Sequence, residues 1–416
     1  MRVDVVGGSE RLRHEMVDRL AAEQKAKGLA LRPDVEAALR SVPRDLFAPG
    51  IPLEQAYANA AIPTKRRGQE TISSVSDPFL IAEMLGQAAE ALGDMAGRHV
   101  LEIGSGGYNA ALLRELVGPS GSVTTVDIDP EVTDRGEACL DRAGYGDVTV
   151  VCADAEHPIA PGRQYDLIVV TAGAWDVPPA WRDQLTDDGV LVVPVRTFGL
   201  TRSWALRRRG SRLVSESHRQ CGFVSIQGSG ARAMRYVDIA DGVHLRLDEG
   251  QQVDATVVAE RLMEPREEAW AGMSLAPRTV LSDLDLWLAA RLAREATEFV
   301  VLSAQAEAVE SGTVAPAWRF GTPAAVHDGA FAYRSKLRWA DRRLDLGAYA
   351  HGPQAKAAAG QMVEHMRAWV DAGCPSPVLH VLPAQTPDGE LPEGTVVDKR
   401  HTRLVLAFTS DEKGTP

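Results

Sequence analysis

Between His99 and Val195 the sequence alternates short, continuously apolar runs with amphipathic stretches, and this alternation constrains the fold more than any other feature. The apolar runs are HVLEIG, SVTTVDID, VTVVCAD, DLIVVTA and VLVVPV. GGYNAALLRELVG, PEVTDRGEACLDRAG and PPAWRDQL lie among them with helical character. Strands without polar alternation are buried on both faces, the condition of a parallel sheet covered by helices. An α/β domain with a mainly parallel sheet is expected.

The flanking segments read differently. Leu12, Met16, Leu20 and Ala21 carry a helical rhythm from about Ser9 to Gly28, and Pro33 opens a short helix that stops before Pro43. Leu46 to Pro49 reads as a turn with buried aromatic packing, and Tyr57 to Ser76 as irregular. Asp77-Pro78 starts the helix PFLIAEMLGQAAEAL. Beyond Gly199 the alternation ends. TRSWALRRRGSRLVSESHRQCGFVSI predicts two strands around an Arg/Gly turn, and LRLDEGQQVDATVVAE another hairpin-like pair. A helix is expected over Leu281 to Ala293, strands in FAYRSKLRWADRRLDLGAY, and an amphipathic helix over Gln354 to Val370. VLHVLPAQTPD and TRLVLAFTS read as closing strands, and DEKGTP as a frayed tail. A chain of 416 residues exceeds one ordinary core. Two domains are expected, 1–205 and a C-terminal α+β domain over 206–416.

Composition removes several classes of function. A net charge of -12 argues against a nucleic-acid surface, although KRR at Lys65 to Arg67 and RRRG at Arg207 to Gly210 could form a local groove for an acidic peptide. The first residues lack the apolar core of a signal peptide, and no run approaches the roughly 20 apolar residues that span a bilayer. A cytoplasmic protein without a membrane partner is the expectation. Cys139, Cys152, Cys221 and Cys374 are scattered without ligand spacing, so neither disulfides nor a metal site is expected.

The chemistry concentrates in LEIGSGGYNA, Leu101 to Ala110, with Gly104, Gly106 and Gly107 between a strand and a helix. Glycines there allow the backbone to approach a ligand, and the helix start offers free N–H groups. A dinucleotide site would use the same loop. The acidic residues narrow the choice. Asp127 ends the second strand about twenty residues on, suited to ribose hydroxyls. Asp154, in CADAE, could accept from an adenine amino group with Ala155 beside the ring, and Glu102 would lie near the positive end of the ligand. Three acidic positions without a converging basic side chain favour a cationic sulfonium nucleoside over a pyrophosphate. Either aspartate could instead cap a helix.

Taken in order, FAPG, AYAN, ETIS with SDP, VLEIGSGGYNAALL, GSVTTVDIDPEV, DVTVVCADA, YDLIVVTAGAWDVPPAWRDQL and DGVLVVPV resemble the protein-L-isoaspartate (D-aspartate) O-methyltransferase family. The resemblance runs from Leu12 to about Arg196. It implies a Rossmann-like S-adenosylmethionine-dependent methyltransferase domain over 1–205, releasing S-adenosylhomocysteine. The cofactor residues it implies are Glu102, Gly104, Ser105, Gly106, Asn109, Asp127, Ile128, Asp154, Ala155 and Thr171, with Ala172 near the methyl-transfer face. The family's compact TISxP segment, whose serine faces the substrate carboxylate, is TISSVSDP here. Ser76, Ser73 and Thr71 are therefore the candidates, and Ser76 could instead cap the following helix. The length also departs from the family's repair enzymes. AYAHGPQAKAAAGQMVEHMRAWV and LHVLPAQTPDGELPEG resemble the extended variants associated with ribosomal-peptide (lanthipeptide, FxLD system) gene clusters. That likeness implies a modified precursor peptide as substrate, an aspartate methyl ester and its collapse to a succinimide, with residues 206–416 recognising the peptide.

Carboxylate methylation needs little acid–base chemistry, because the nucleophile is already ionised at neutral pH. His99 and His157 are read as structural. Arg334, Lys336, Arg338, Trp339, Arg342 and Arg343 are candidates for a peptide or docking surface, and Trp175 and Trp181 for cleft walls or helix packing. Isoaspartyl repair and small-molecule carboxyl methylation stay open as alternatives, as does the oligomeric state.

Overall fold

A computed structural model describes residues 2–104, 106–248, 250–276, 279–294, 298–327, 329–340 and 343–408, without the side chains of 2–6, 340 and 343. The expected parallel sheet is formed by β3 (His99–Ile103), β4 (Ser122–Asp127), β5 (Thr149–Cys152), β6 (Tyr165–Val170) and β7 (Leu185–Thr197). Their order is β7-β6-β3-β4-β5, and every pairing among them is parallel. The helices are α1 (Arg2–Ala26), α2 (Pro33–Ser41), α3 (Leu53–Ala56), α4 (Pro78–Leu92), α5 (Tyr108–Val117), α6 (Pro130–Ala143) and α7 (Pro179–Asp183). Strand residues alternate between two cores. Val100, Leu167, Val169 and Val192 pack with residues of α1, α2, α4 and α5, while Leu101, Ile103, Ile168 and Val193 face the other way.

Three expectations change. The stretch read as irregular contains an antiparallel hairpin, β1 (Ile62–Arg67) and β2 (Glu70–Val75), turning at Gly68. Its polar strands are only partly buried, so no apolar period marks them. Asp77, not Ser76, caps α4, accepting from the N–H groups of Phe79 and Leu80. DATVVAE is helical as α8 (Ala255–Leu262), because Asp254 caps its first turn and Val258 and Leu262 bury four residues apart.

The sheet continues antiparallel beyond β7 through β8 (Leu200–Arg209) and β9 (Arg212–Gln220). Positions 205 and 206 are thus neighbours within β8. The chain then forms a second, seven-stranded sheet. Its strands are β10 (Arg235–Ala240), β11 (Val243–Leu247), β12 (Glu267–Trp270), β13 (Glu298–Ala304), β14 (Thr322–His327), β15 (Ala330–Arg334) and β18 (Gly347–His351). The short pair β16 (Arg338–Ala340) and β17 (Arg343–Asp345) precedes β18. α9 (Leu281–Leu292), α10 (Ala306–Glu310) and α11 (Ala355–Asp371) complete this region. Leu284, Leu288, Met362 and Met366 join Trp204 and Leu206 in one core, so this unit covers the open face of the first sheet. Finally β19 (Pro377–Pro383), β20 (Thr395–Asp398) and β21 (Thr402–Phe408) return to the first sheet beside β9, making it ten-stranded. The expected tail DEKGTP lies outside the described residues.

Candidate active site

The C-terminal ends of β3, β4, β5 and β6 open onto one narrow cavity, where an open α/β sheet receives its ligand. Its wall carries Gly104, Asp127, Ile128, Asp154, Ala155, Thr171 and Ala172 from the strand ends, and Ser73 and Ser76 from the hairpin side. Among the described residues lining it, Asp127 and Asp154 are the only charged ones. Gly104 has φ +89°, and a Cβ there would lie 3.3 Å from Cβ of Ala172, so the strand end must be glycine to approach this closely. The Thr171 hydroxyl locks that approach by donating to the carbonyl of Gly104 at 2.7 Å. Gly107 begins α5 in the left-handed region at φ +97°.

The two aspartates differ in environment. Burial holds the Asp127 carboxyl above its ordinary range, although Oδ1 accepts from the Asp129 N–H at 2.9 Å. Burial pushes Asp154 the same way, but N–H donors from Ser229 and Glu156 outweigh it and lower that carboxyl. A carboxylate offers about four acceptor sites, so both aspartates retain capacity for a ligand.

Glu102, Gly106 and Asn109 do not reach the wall, and Ser105 lies outside the described residues. Glu102 alternates to the helix-covered face of β3 and is fully buried. Asn109 Nδ2 donates to its Oε1 at 2.7 Å, and the Thr125 hydroxyl to its Oε2 at 2.8 Å. This network braces the loop from beneath.

Among the three hydroxyl candidates, Ser73 is already engaged. It shares a 3.0 Å hydrogen bond with Thr64 and receives Arg135 Nη2 at 3.3 Å. The Ser76 hydroxyl has no hydrogen-bond partner among the described residues, while its carbonyl accepts from Arg44 Nη1 at 2.8 Å. Arg44 is fully buried and also holds the carbonyls of Ala56 and Ala60, fixing the backbone on both sides of the hairpin. Burial lowers its pKa. Thr71 lines the neighbouring cleft instead.

The sequence reading missed one wall. The segment after β9, read as continuing that strand, leaves it and pairs Ser225 with Gly173, setting Val224, Ser225, Ile226 and Gln227 against the cavity. Gln227 ties it to the hairpin by accepting from Arg67 and donating to the Ile72 carbonyl. At Gly228, φ +77°, a Cβ would lie 2.6 Å from Asp154 Oδ2. Only the GSG triplet hints at such a close approach.

Ile72, Ser225, Ile226 and Gln227 also line a cleft of about 1350 Å³, whose far wall carries Tyr236, Arg246, Trp318 and Phe320 of the second unit. Of the basic surface expected from Arg334 onward, no described side chain lines it. Arg334 is buried against Asp285, Arg338 stacks on Trp270, Lys336 and Trp339 are exposed, Arg342 is outside the described residues and so is the side chain of Arg343. Trp175 lies between Arg232 and Lys399, and Trp181 is buried with its indole N–H on the Ala155 carbonyl. His99 starts β3, with its ring Nδ1 2.8 Å from the Ser122 hydroxyl. Among the described residues no group of three or more His, Cys, Asp or Glu could hold a metal, all four cysteines are free, and no helix is long and apolar enough to cross a membrane.

A parallel α/β sheet with a glycine approach, two strand-end carboxylates and no basic group on the wall fits a sulfonium nucleoside, and fold and site define an S-adenosylmethionine-dependent methyltransferase. The family described as Protein-L-isoaspartate(D-aspartate) O-methyltransferase matches residues 15–231. A protein-L-isoaspartate O-methyltransferase of Ignicoccus hospitalis is 38% identical over 187 residues, 45% of this chain and 82% of the relative. One of Methanopyrus kandleri is 35% identical over 221 residues, 52% of this chain and 92% of the relative. A solved protein-L-isoaspartate O-methyltransferase structure aligns over 88% of this chain and 96% of its own, with TM-score 0.47 and 21% identity. This chain belongs to the protein-L-isoaspartate (D-aspartate) O-methyltransferase family and is an enzyme of that kind.

Proposed function

We propose that this enzyme methylates an aspartyl or isoaspartyl carboxylate within a peptide, and that its dedicated substrate is a ribosomally made, modified precursor peptide. The observation that carries the peptide reading is the cleft of about 1350 Å³ continuous with the cofactor wall. Small-ligand sites are typically about 300–1,000 Å³, so this space suits a chain segment more than a metabolite. In this reading the unit from β10 to β18 supplies the substrate wall, and residues 206–416 as a whole serve peptide recognition. The residues beyond 231 lie outside the family match and fall within the part assigned to peptide recognition.

The cofactor supplies an electrophilic methyl on a sulfonium. A carboxylate oxygen of the substrate forms the new C–O bond as the C–S bond breaks, and the electron pair returns to sulfur, so no proton moves. The chain's part is alignment and water exclusion. Ser76, with its free hydroxyl, donates to the carboxylate oxygen without neutralising it; Ser73 and Thr71 shape its approach. Gly104, Ile128, Ala155 and Thr171 form the cofactor wall, Asp127 takes the ribose hydroxyls and Asp154 the adenine amino group. Glu102 and Asn109 brace the strand end and helix start on either side of the glycine loop, and Ser105 and Gly106 are expected to contribute backbone contacts to the cofactor. The ester then collapses as the next backbone nitrogen attacks it. Methanol departs with the amide proton, giving a succinimide that stays as aspartimide or hydrolyses to isoaspartate.

The test offers labelled S-adenosylmethionine with three substrates: the modified peptide from a neighbouring gene, its linear form and a generic isoaspartyl peptide. One methyl gained and methanol then lost, only on the modified peptide, is expected. Rapid methylation of the generic peptide alone would make this a repair enzyme.

A further inference from the structure

We propose that Arg202 and Arg246 form an anion subsite in the substrate cleft, which binds a second carboxylate of the peptide apart from the one that is methylated. The proposal rests on the peptide reading above and narrows it to peptides carrying a nearby anionic group.

The two arginines come from different sheets, Arg202 from β8 and Arg246 from β11, and line the same cleft. Arg202 is only 2% exposed. Its Nη1 donates to the Thr201 carbonyl at 3.0 Å and its Nη2 to the Ser282 carbonyl at 3.2 Å. Arg246 Nη2 donates to the Phe320 carbonyl at 2.9 Å. In both, Nε is buried without a hydrogen-bond partner. Neither guanidinium has a carboxylate within 4.0 Å among the described residues, whereas other cleft cations do: Arg196 pairs with Asp248 and Arg219 with Glu90. Asp285, a carboxylate that acts on Arg202, is itself held by Arg334 at 2.9 Å.

Buried cations are ordinarily paired, because removing the charge from water is costly. Burial lowers the pKa of both arginines, and the charge of Arg202 lowers that of Arg246 further. Two desolvated guanidinium groups with free donor capacity can take a carboxylate through charge-assisted hydrogen bonds. Trp318 and Phe320, in edge contact 5.5 Å apart and about half exposed, give apolar surface beside it. Carrying one arginine on each sheet makes the subsite depend on how the second unit sits over the first.

The test measures binding separately from turnover. Fluorescent isoaspartyl peptides are titrated into the full-length enzyme with S-adenosylhomocysteine, and methylation of the same peptides is followed in parallel. One peptide has a glutamate near the isoaspartate and an amidated C-terminus, one has glutamine there and a free C-terminal carboxylate, and one has neither anion. The anionic peptides should bind about ten- to hundredfold more tightly than the neutral one, the usual worth of hydrogen bonds to a charged partner. The first two distinguish a side-chain carboxylate from the chain terminus. Arg246→Gln should bring the ratio close to one, and Arg246→Lys should restore part of it. Equal binding of all three peptides, or loss of affinity for charged and neutral peptides alike in Arg246→Gln, overturns the subsite. Charge-selective binding with no methylation of these peptides leaves the subsite standing, and the assigned reaction is refuted if the modified precursor peptide, run beside them, is not methylated either.

Discussion

Gly228→Ala probes the wall that the segment after β9 contributes to the cofactor cavity. The added Cβ would lie 2.6 Å from both Asp154 Oδ2 and Ile128 Cδ1, side-chain ends on the cavity wall, so either they or the segment must move. The left-handed φ of +77° adds strain of about 1–2 kcal/mol for an L residue. Movement also breaks the 2.9 Å bond from the Ser229 N–H to Asp154, a hydrogen bond to a charged group worth about 1.5–3 kcal/mol. Either shift displaces residues of the cavity wall, where Ile128, Asp154, Ile226 and Gln227 meet. Titration calorimetry with S-adenosylhomocysteine should therefore give a Kd roughly ten- to hundredfold weaker. Gly210→Ala is the control, because that β8–β9 turn has φ +63° and nothing within 4 Å of an added Cβ. It should carry the backbone strain without changing Kd. A folded Gly228→Ala protein that binds S-adenosylhomocysteine as tightly as the parent would refute the claim that this segment forms the wall.

Three further outcomes are expected. Ser76→Ala should lower kcat/KM for peptide methylation by about ten- to hundredfold, with a smaller effect on S-adenosylhomocysteine affinity, as expected for loss of a donor to a charged oxygen. Ser73→Ala should do less, since its hydroxyl is held by Thr64 and Arg135. Asp127→Asn should raise the Tm of the cofactor-free protein at neutral pH while weakening cofactor binding. The folded carboxyl titrates above its ordinary value of 3.8, so its favourable contribution is full below that value and is lost as pH rises through the folded pKa. The variant's advantage should accordingly vanish in acid, which thermal melts at several pH values would detect. Thr125→Val leaves Glu102 Oε2 without its 2.8 Å donor inside the core and should cost about 1.5–3 kcal/mol in denaturant unfolding.

The parts of this fold legible in sequence are those where one local pattern decides the outcome. Buried parallel strands need unbroken apolar runs, so β3, β4, β6 and the apolar stretch of β7 could be read directly, and the half-exposed edge strand β5 carries the same kind of run. Glu102 lies on a strand buried on both faces, where no polar alternation shows which side a residue takes; only the position of Asn109 on α5 reveals it. In α8, the β-branched residues Thr256, Val257 and Val258 suggest a strand, but the Asp254 cap and helical burial prevail. The return of β19 to β9 depends on contacts between residues such as His380 and Val214, far apart in the chain, which periodicity does not encode. The same holds for Arg202 and Arg246, each unremarkable on its own strand.

The central claim is that a peptide carboxylate accepts the methyl group. The direct measurement uses S-adenosylmethionine labelled in its methyl, isolates the peptide product and treats it with mild base. A carboxyl ester must release the label as volatile methanol and leave the aspartyl or succinimide residue unlabelled. Label that survives base on the peptide would place the methyl on nitrogen, sulfur or an ether oxygen and contradict the account.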